Sequence, residues 1–239
     1  MTLMFASPVK RNVFLKRRIV TLLFCMVCAC TSTSIAALDI SSEFIIKIKQ
    51  TYGIEAAERI EQWQKLMQTA KQLPEQQKLK WVNDFFNQNI TFVDDVFLWG
   101  VNDYWASPME LLFQGAGDCE DYSIAKYFTL IELGIDDKKM RITYVKALNL
   151  NQAHMVLTYF STPRAIPVVL DNLIPEIKLA SKRVDLLPVY SFNGTGLWLA
   201  KARGGGKKVG GSGRISMWAE LKQRMLNNSI ESLSNKEIR

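Results

Sequence analysis

Three side chains in this sequence have the types and spacing needed for acyl transfer at a carbonyl. Cys119 follows the glycine-rich turn Gly115-Ala116-Gly117 and opens a run, Asp118 to Leu133, in which Ile124, Ala125, Phe128 and Ile131 keep the spacing of one helical face. Gly134 can end that helix. A thiol at a helix start meets unpaired backbone N–H groups and the positive end of the helix dipole, which favour the thiolate and suit the oxyanion formed when a carbonyl is attacked. The bland alternative, an inert buried thiol, would sit more naturally in mid-helix on the apolar stripe. His154, the only histidine, lies 35 residues later in the strand-like run Ala153-His154-Met155-Val156-Leu157. An imidazole within reach takes the thiol proton and later protonates a leaving amine; otherwise it is a partly exposed histidine satisfied by water. Asp171 ends the run Ile166-Pro167-Val168-Val169-Leu170. A carboxylate there can hold the other ring nitrogen and fix the tautomer, although aspartate at a strand end is also a common turn former. The force of the set lies in its order: cysteine at a helix start, histidine on one strand, aspartate at the end of the next.

Acids crowd the thiol. Asp118 and Glu120 flank Cys119, and Asp121 follows. Like charges beside a thiolate raise its pKa and blunt it. The three acids read either as helix-start residues that favour the dipole or as hard oxygen ligands of a cation that would cancel the conflict.

The elements that must position these residues follow from periodicity. Ile40 to Tyr52, Ile54 to Gln72 and a segment opening at Pro74, with Trp81, Phe85 and Phe86 on its apolar face, read as helices. An aromatic stretch from Ile90 to Ser107 carries Phe97, Trp99 and Trp105, expected as core or cleft wall. Ser107 is placed as N-cap and Pro108 as first residue of a short helix. Beyond Gly134 the period changes to two: Met140 to Ala147, Ala153 to Phe160, Ile166 to Leu170, Val189 to Phe192 and Leu197 to Ala202 read as antiparallel strands. Ile215 to Met225 reads as a last helix, and Gly204 to Lys208 as a glycine-rich turn. Helices followed by strands give an α+β fold, N-terminal helices packed on an antiparallel sheet.

The first 37 residues have the layout of a secretory signal peptide: Lys10, Arg11, Lys16, Arg17 and Arg18, then the apolar run Ile19 to Cys30, then Ser34-Ile35-Ala36-Ala37. An uncleaved anchor and lipid attachment at Cys30 stand as alternatives; the apolar run is shorter than the roughly 20 residues of a span. Residues 38–239 are then expected to form a single exported domain. Removing the signal leaves 25 Lys and Arg against 23 Asp and Glu, so the whole-chain net charge of +7 gives no ground for a nucleic-acid partner. It also removes Cys25, Cys28 and Cys30, leaving Cys119 alone in an oxidising compartment. No phosphate loop, histidine pair or redox CxxC remains in residues 38–239.

Gly117-Asp118-Cys119-Glu120-Asp121-Tyr122, Ala153-His154-Met155-Val156-Leu157 and Leu170-Asp171-Asn172, preceded by Asp103-Tyr104-Trp105-Ala106-Ser107-Pro108, together resemble the bacterial transglutaminase-like cysteine proteinases of the periplasmic LapG type. The likeness runs from about Trp81 to Trp198. It implies a papain-like or transglutaminase-like core with Cys119, His154 and Asp171 as catalytic triad. It further implies a calcium-dependent endopeptidase, with Ca²⁺ ligands at Asp118 and Glu120 and, less directly, at Asp121 and Asp103. The implied substrate is the N-terminal region of a large surface adhesin, whose cleavage disperses biofilm. The implied inhibitory partner is the periplasmic domain of an inner-membrane cyclic-di-GMP receptor. A transglutaminase-type acyltransferase and a non-catalytic binding module remain alternatives; the complete triad speaks against the latter.

Overall fold

The computed structural model describes residues 40–201 and 204–237. The segment read as a signal peptide lies outside the described residues. Three helices come first: α1 (Ser42–Tyr52), α2 (Ile54–Ala70) and α3 (Glu75–Asn89). Pro74 stands at the N-cap of α3 rather than within it. Next come β1 (Thr91–Phe92), α4 (Asp95–Leu98), α5 (Pro108–Gln114), β2 (Ala116–Gly117) and α6 (Cys119–Glu132). β1 and β2 pair in parallel, Thr91 opposite Ala116. This short pairing carries the chain leaving α3 to the start of α6.

The strands are β3 (Met140–Ala147), β4 (Gln152–Tyr159), β5 (Val168–Leu170), β6 (Lys178–Leu179), β7 (Leu186–Phe192), β8 (Leu197–Lys201) and β9 (Gly204–Gly210), with α7 (Ser216–Glu237) after them. They form one sheet in the order β6-β5-β4-β3-β7-β8-β9, every pair antiparallel. The α+β class and the antiparallel sheet are as expected. One reading is corrected: the glycine-rich stretch from Gly204 is the strand β9, not a turn, because it pairs with β8 through a register shift that an uncrowded backbone permits.

Side chains on β4 alternate between two environments, as a pleated strand requires. Met155, Leu157 and Tyr159 join the main core with Ile124 and Leu130 of α6, Phe86 of α3 and Trp218 of α7. Val156 instead meets Val145 and Val169 in a small second cluster under Ala180 and Leu186. Trp63 of α2 is tied across the core by a hydrogen bond from its ring N–H to Thr129 Oγ1 at 3.0 Å. Among the described residues no helix is long and apolar enough to cross a membrane.

Candidate active site

Cys119 is the first residue of α6, and its position is built by the preceding turn. Ser107 caps α5 by accepting from the Glu110 N–H, while Glu110 accepts from the Ser107 N–H. At the other end of α5, Gly115 adopts a left-handed φ of 65°, and the Arg59 guanidinium donates to the Leu112 and Phe113 carbonyls at 2.9 and 3.1 Å. Gly117 must be glycine for a different reason: a Cβ there would lie 2.5 Å from Leu111 Cδ1 and 2.6 Å from Asp121 Oδ2. The space is filled by a carboxylate that braces the turn. Asp121 is fully buried and accepts from the Ala106 N–H at 2.7 Å and the Asp118 N–H at 3.3 Å.

His154 and Asp171 come together on neighbouring strands. Leu157 pairs with Leu170, so Asp171 falls opposite Val156 and diagonal to His154 on the same face. His154 Nε2 and Asp171 Oδ1 are 2.8 Å apart, and both side chains are buried. The histidine is therefore not the partly exposed one of the bland reading. Asp171 Oδ2 accepts from Arg183 Nη2 at 2.7 Å, Oδ1 also accepts from the Leu173 N–H at 3.1 Å, and Arg183 is in turn forked onto Asp185. Burial works to raise the Asp171 carboxyl, but the His154 hydrogen bond and charge and the Arg183 guanidinium outweigh it and hold the group below the usual carboxylate range. With Nε2 turned to Asp171, Nδ1 is the ring nitrogen left for another partner. The next residue, Met155, hydrogen-bonds the Cys119 sulfur through its backbone N–H. The strand that carries the histidine thus lies directly against the thiol. Asn172, a candidate for orienting the pair, leaves its Oδ1 buried without a hydrogen-bond partner.

The acids form the other half of the site. Glu120 Oε2 accepts from the Cys119 thiol at 3.0 Å. Burial, then Glu120, then Asp118 push that thiol well above its usual pKa, outweighing the Met155 N–H. The helix-start advantage expected from sequence is overturned in this arrangement by burial first and then by the carboxylates beside the thiol. Asp118, Cys119 and Glu120 could form one ligand group; Asp95, Asp118 and Asp121 a second; Asp95, Asp103 and Glu120 a third, the candidate ligand atoms in each lying within 4.8 Å of one another. Asp95 was missed in the sequence. It is buried at the start of α4, accepts from the Tyr104 N–H through Oδ2, and leaves Oδ1 buried with no partner. Asp118 Oδ1 is likewise buried with no partner. Burial and the neighbouring acids push Asp95 up to about 6, raise Asp103 despite a hydrogen bond from Trp105, and drive Asp118 and Asp121 far above the carboxylate range. Converging carboxylates with vacant buried oxygens are a donor set suited to a hard divalent cation. Trp105 is buried and stacks on Phe192 with ring centroids 5.6 Å apart, whereas Phe97, expected in the core or cleft wall, is 81% exposed.

A cysteine at the first turn of a helix, packed against a strand whose histidine is held by a carboxylate on the next, defines a transglutaminase-like fold carrying a cysteine-protease type of site. A model of the bacterial transglutaminase-like cysteine proteinases matches residues 48–192, and the chain belongs to that family. Among solved structures, Legionella pneumophila LapG is 44% identical over 78% of this chain and 98% of its own, with a TM-score of 0.67. The EGTA-treated form of that protein gives 43% identity at 0.67 over 78% and 98%, and its calcium-bound form 45% at 0.66 over 78% and 99%. No curated protein sequence matches the chain.

Proposed function

We propose that this chain is an exported, calcium-dependent periplasmic cysteine endopeptidase that cuts the N-terminal region of a large surface adhesin and so promotes biofilm dispersal. In this reading it is held in check by the periplasmic domain of an inner-membrane cyclic-di-GMP receptor. The observation that carries the chemistry is the buried pair His154 Nε2 and Asp171 Oδ1, 2.8 Å apart, with the N–H of Met155, the residue after His154, directed to the Cys119 sulfur. His154 Nδ1 takes the thiol proton as the sulfur attacks the scissile carbonyl. Backbone N–H groups at the start of α6 steady the oxyanion. His154 then returns the proton to the departing amine as the C–N bond breaks, leaving a thioester that water, deprotonated by the same ring, hydrolyses. Asp171 holds the tautomer throughout, and Arg183 holds Asp171. Calcium, bound among Asp118, Glu120 and Asp121 with Asp95 and Asp103, would supply the positive charge that offsets the carboxylates beside the thiol. Its presence in a relative's structure and the vacant oxygens of Asp95 and Asp118 support that assignment. Glu120 then has a better partner than the thiol, whose proton is left to His154.

The test is incubation with N-terminal fragments of candidate adhesins, with calcium or with a chelator, read by mass spectrometry. Two cleaved peptides are expected only with calcium, and Cys119→Ala should lose cleavage on the order of 10⁴-fold or more. Cleavage by Cys119→Ala at the normal rate would sink the mechanism, equal rates in chelator and calcium would sink the metal requirement, and an amine adduct in place of peptides would make the enzyme an acyltransferase.

A further inference from the structure

We propose that Lys126, together with Asn87, is a positioning residue for this site, tying the helix that begins at Cys119 to the backbone of Asp171. The inference rests on the reading of Asp171 as the group that orients His154. Lys126 lies two turns along α6 from Cys119 and is 1% exposed. Its Nζ donates to Asn83 Oδ1 at 2.9 Å, to Asn87 Oδ1 at 2.8 Å and to the Asp171 carbonyl at 3.2 Å, which uses all three ammonium hydrogens. Asn87 Nδ2 donates to the same carbonyl at 2.8 Å, and Asn83 Nδ2 to the Pro175 carbonyl at 2.7 Å. The turn after β5 is therefore pinned at two points to α3 and α6, and the pinned residue is the one whose side chain holds the histidine.

An apolar side chain would join α3 to α6 at less cost than a buried ammonium. Burial pushes Lys126 down to about 7, with Asp171 and Asp84 pulling the other way. The groups facing it are the Asp171 carboxylate, Asp84 and the Tyr122 ring, whose centroid is 5.6 Å away. What an apolar residue cannot do is donate to the Asp171 carbonyl. Lys126 and Asn87 saturate that carbonyl, leaving the carboxylate one backbone setting from which to meet His154 Nε2. Lys126 on the helix that begins at Cys119 and Asn87 on α3 thus together fix the Asp171 backbone relative to that helix.

Because His154 is the only histidine, untagged protein gives the imidazole NMR signals of one residue. In Lys126→Met the Nε2–H signal should shift or be lost to exchange, and alkylation of Cys119 by iodoacetamide at pH 7 with calcium present should slow by up to about 10²-fold. Lys126→Arg, which restores donors, should recover part of both. Asn87→Ala should move the same signal less and slow alkylation a few-fold; it decides the matter if Lys126→Met does not fold. Imidazole signals superposed on those of the unchanged protein, with an unchanged alkylation rate, in a folded variant would overturn the proposal, even if its melting temperature had dropped. Failure to cleave any adhesin fragment would count against the proposed function without touching this result.

Discussion

Two clusters of charge lie on the elements that meet at Cys119, and they are built on opposite principles. Around Asp171 nearly every charge has its counter-charge within the chain: His154 on one carboxylate oxygen, Arg183 on the other, and Asp185 behind Arg183. Among the charged groups there only Arg183 Nη1 is buried without a hydrogen-bond partner, beside the neutral Asn172 Oδ1. Around Asp118 five acids, Asp95, Asp103, Asp118, Glu120 and Asp121, face one another, and two of their oxygens are buried with no partner. The first cluster is balanced within the chain; the second leaves an excess of negative charge that the proposed cation would balance. Under the proposed function, such a division would let the base and its support be fixed in advance while the state of the thiol depends on the cation.

Breaking the balanced cluster should cost most. Arg183 and Asp171 have side chains that are 1% and 0% exposed, and removing one member of a buried pair strands the other, at about 3–5 kcal/mol. Arg183→Met should lower the unfolding free energy measured by urea titration by that amount; a loss under about 1 kcal/mol would mean the network is wetter and looser than its distances indicate. Adding the proposed cation to the other cluster comes next. Calcium at a hundred times its Kd should stabilise the protein by about 2.7 kcal/mol, or roughly 5–10 °C in melting temperature for a domain of this size. The gain should vanish in Asp118→Asn, and a calcium-insensitive melting curve in the unchanged protein would remove the contrast altogether.

The two clusters also differ in how far they could be read from sequence. Cys119, His154 and Asp171 announce themselves because each sits at a boundary that local chemistry marks: a glycine turn before a helix, the start of an apolar strand, the end of the next. Strand pairing then needs only the register that the buried face imposes. Ser107 and Pro108 were legible for the same reason. Arg183 was not, because it sits in an irregular segment between β6 and β7, where no periodicity says which way a side chain points. Asp95 was hidden by topology. It reaches Asp118 through the two-residue parallel pairing of β1 with β2, too short to leave a pattern, and its helix is four residues long. Phe97 shows the converse error: on that short helix an aromatic side chain has no core to enter and points outward.

The smallest predicted effect is that of Asp95, and its sign with pH is opposite to that of Asp171, which makes the pair the sharpest test of the contrast. Asp95 is raised from 3.8 to about 6, so the calcium-free folded state binds a proton more readily than the unfolded chain between those values. Its penalty is full above about pH 6 and gone below about 3.8. At about 1.36 kcal/mol per pKa unit the penalty is at most about 3 kcal/mol, and screening around the exposed neighbour Asp103 brings the expected value to about 1 kcal/mol. Asp171, held low, works the other way: its contribution is full above the ordinary carboxylate value and is lost as pH falls through its lowered one. Without calcium, Asp95→Asn should therefore be more stable than the unchanged protein at pH 7, with the difference closing as pH falls to about 4. Asp171→Asn should be less stable at pH 7 and close its gap only at lower pH. With calcium the first sign should reverse, because Asp95 has become a ligand and its loss weakens the site. Melting curves of the three proteins across pH 4–7, with and without calcium, would show it; an Asp95→Asn difference that ignores calcium would place Asp95 outside the cation site.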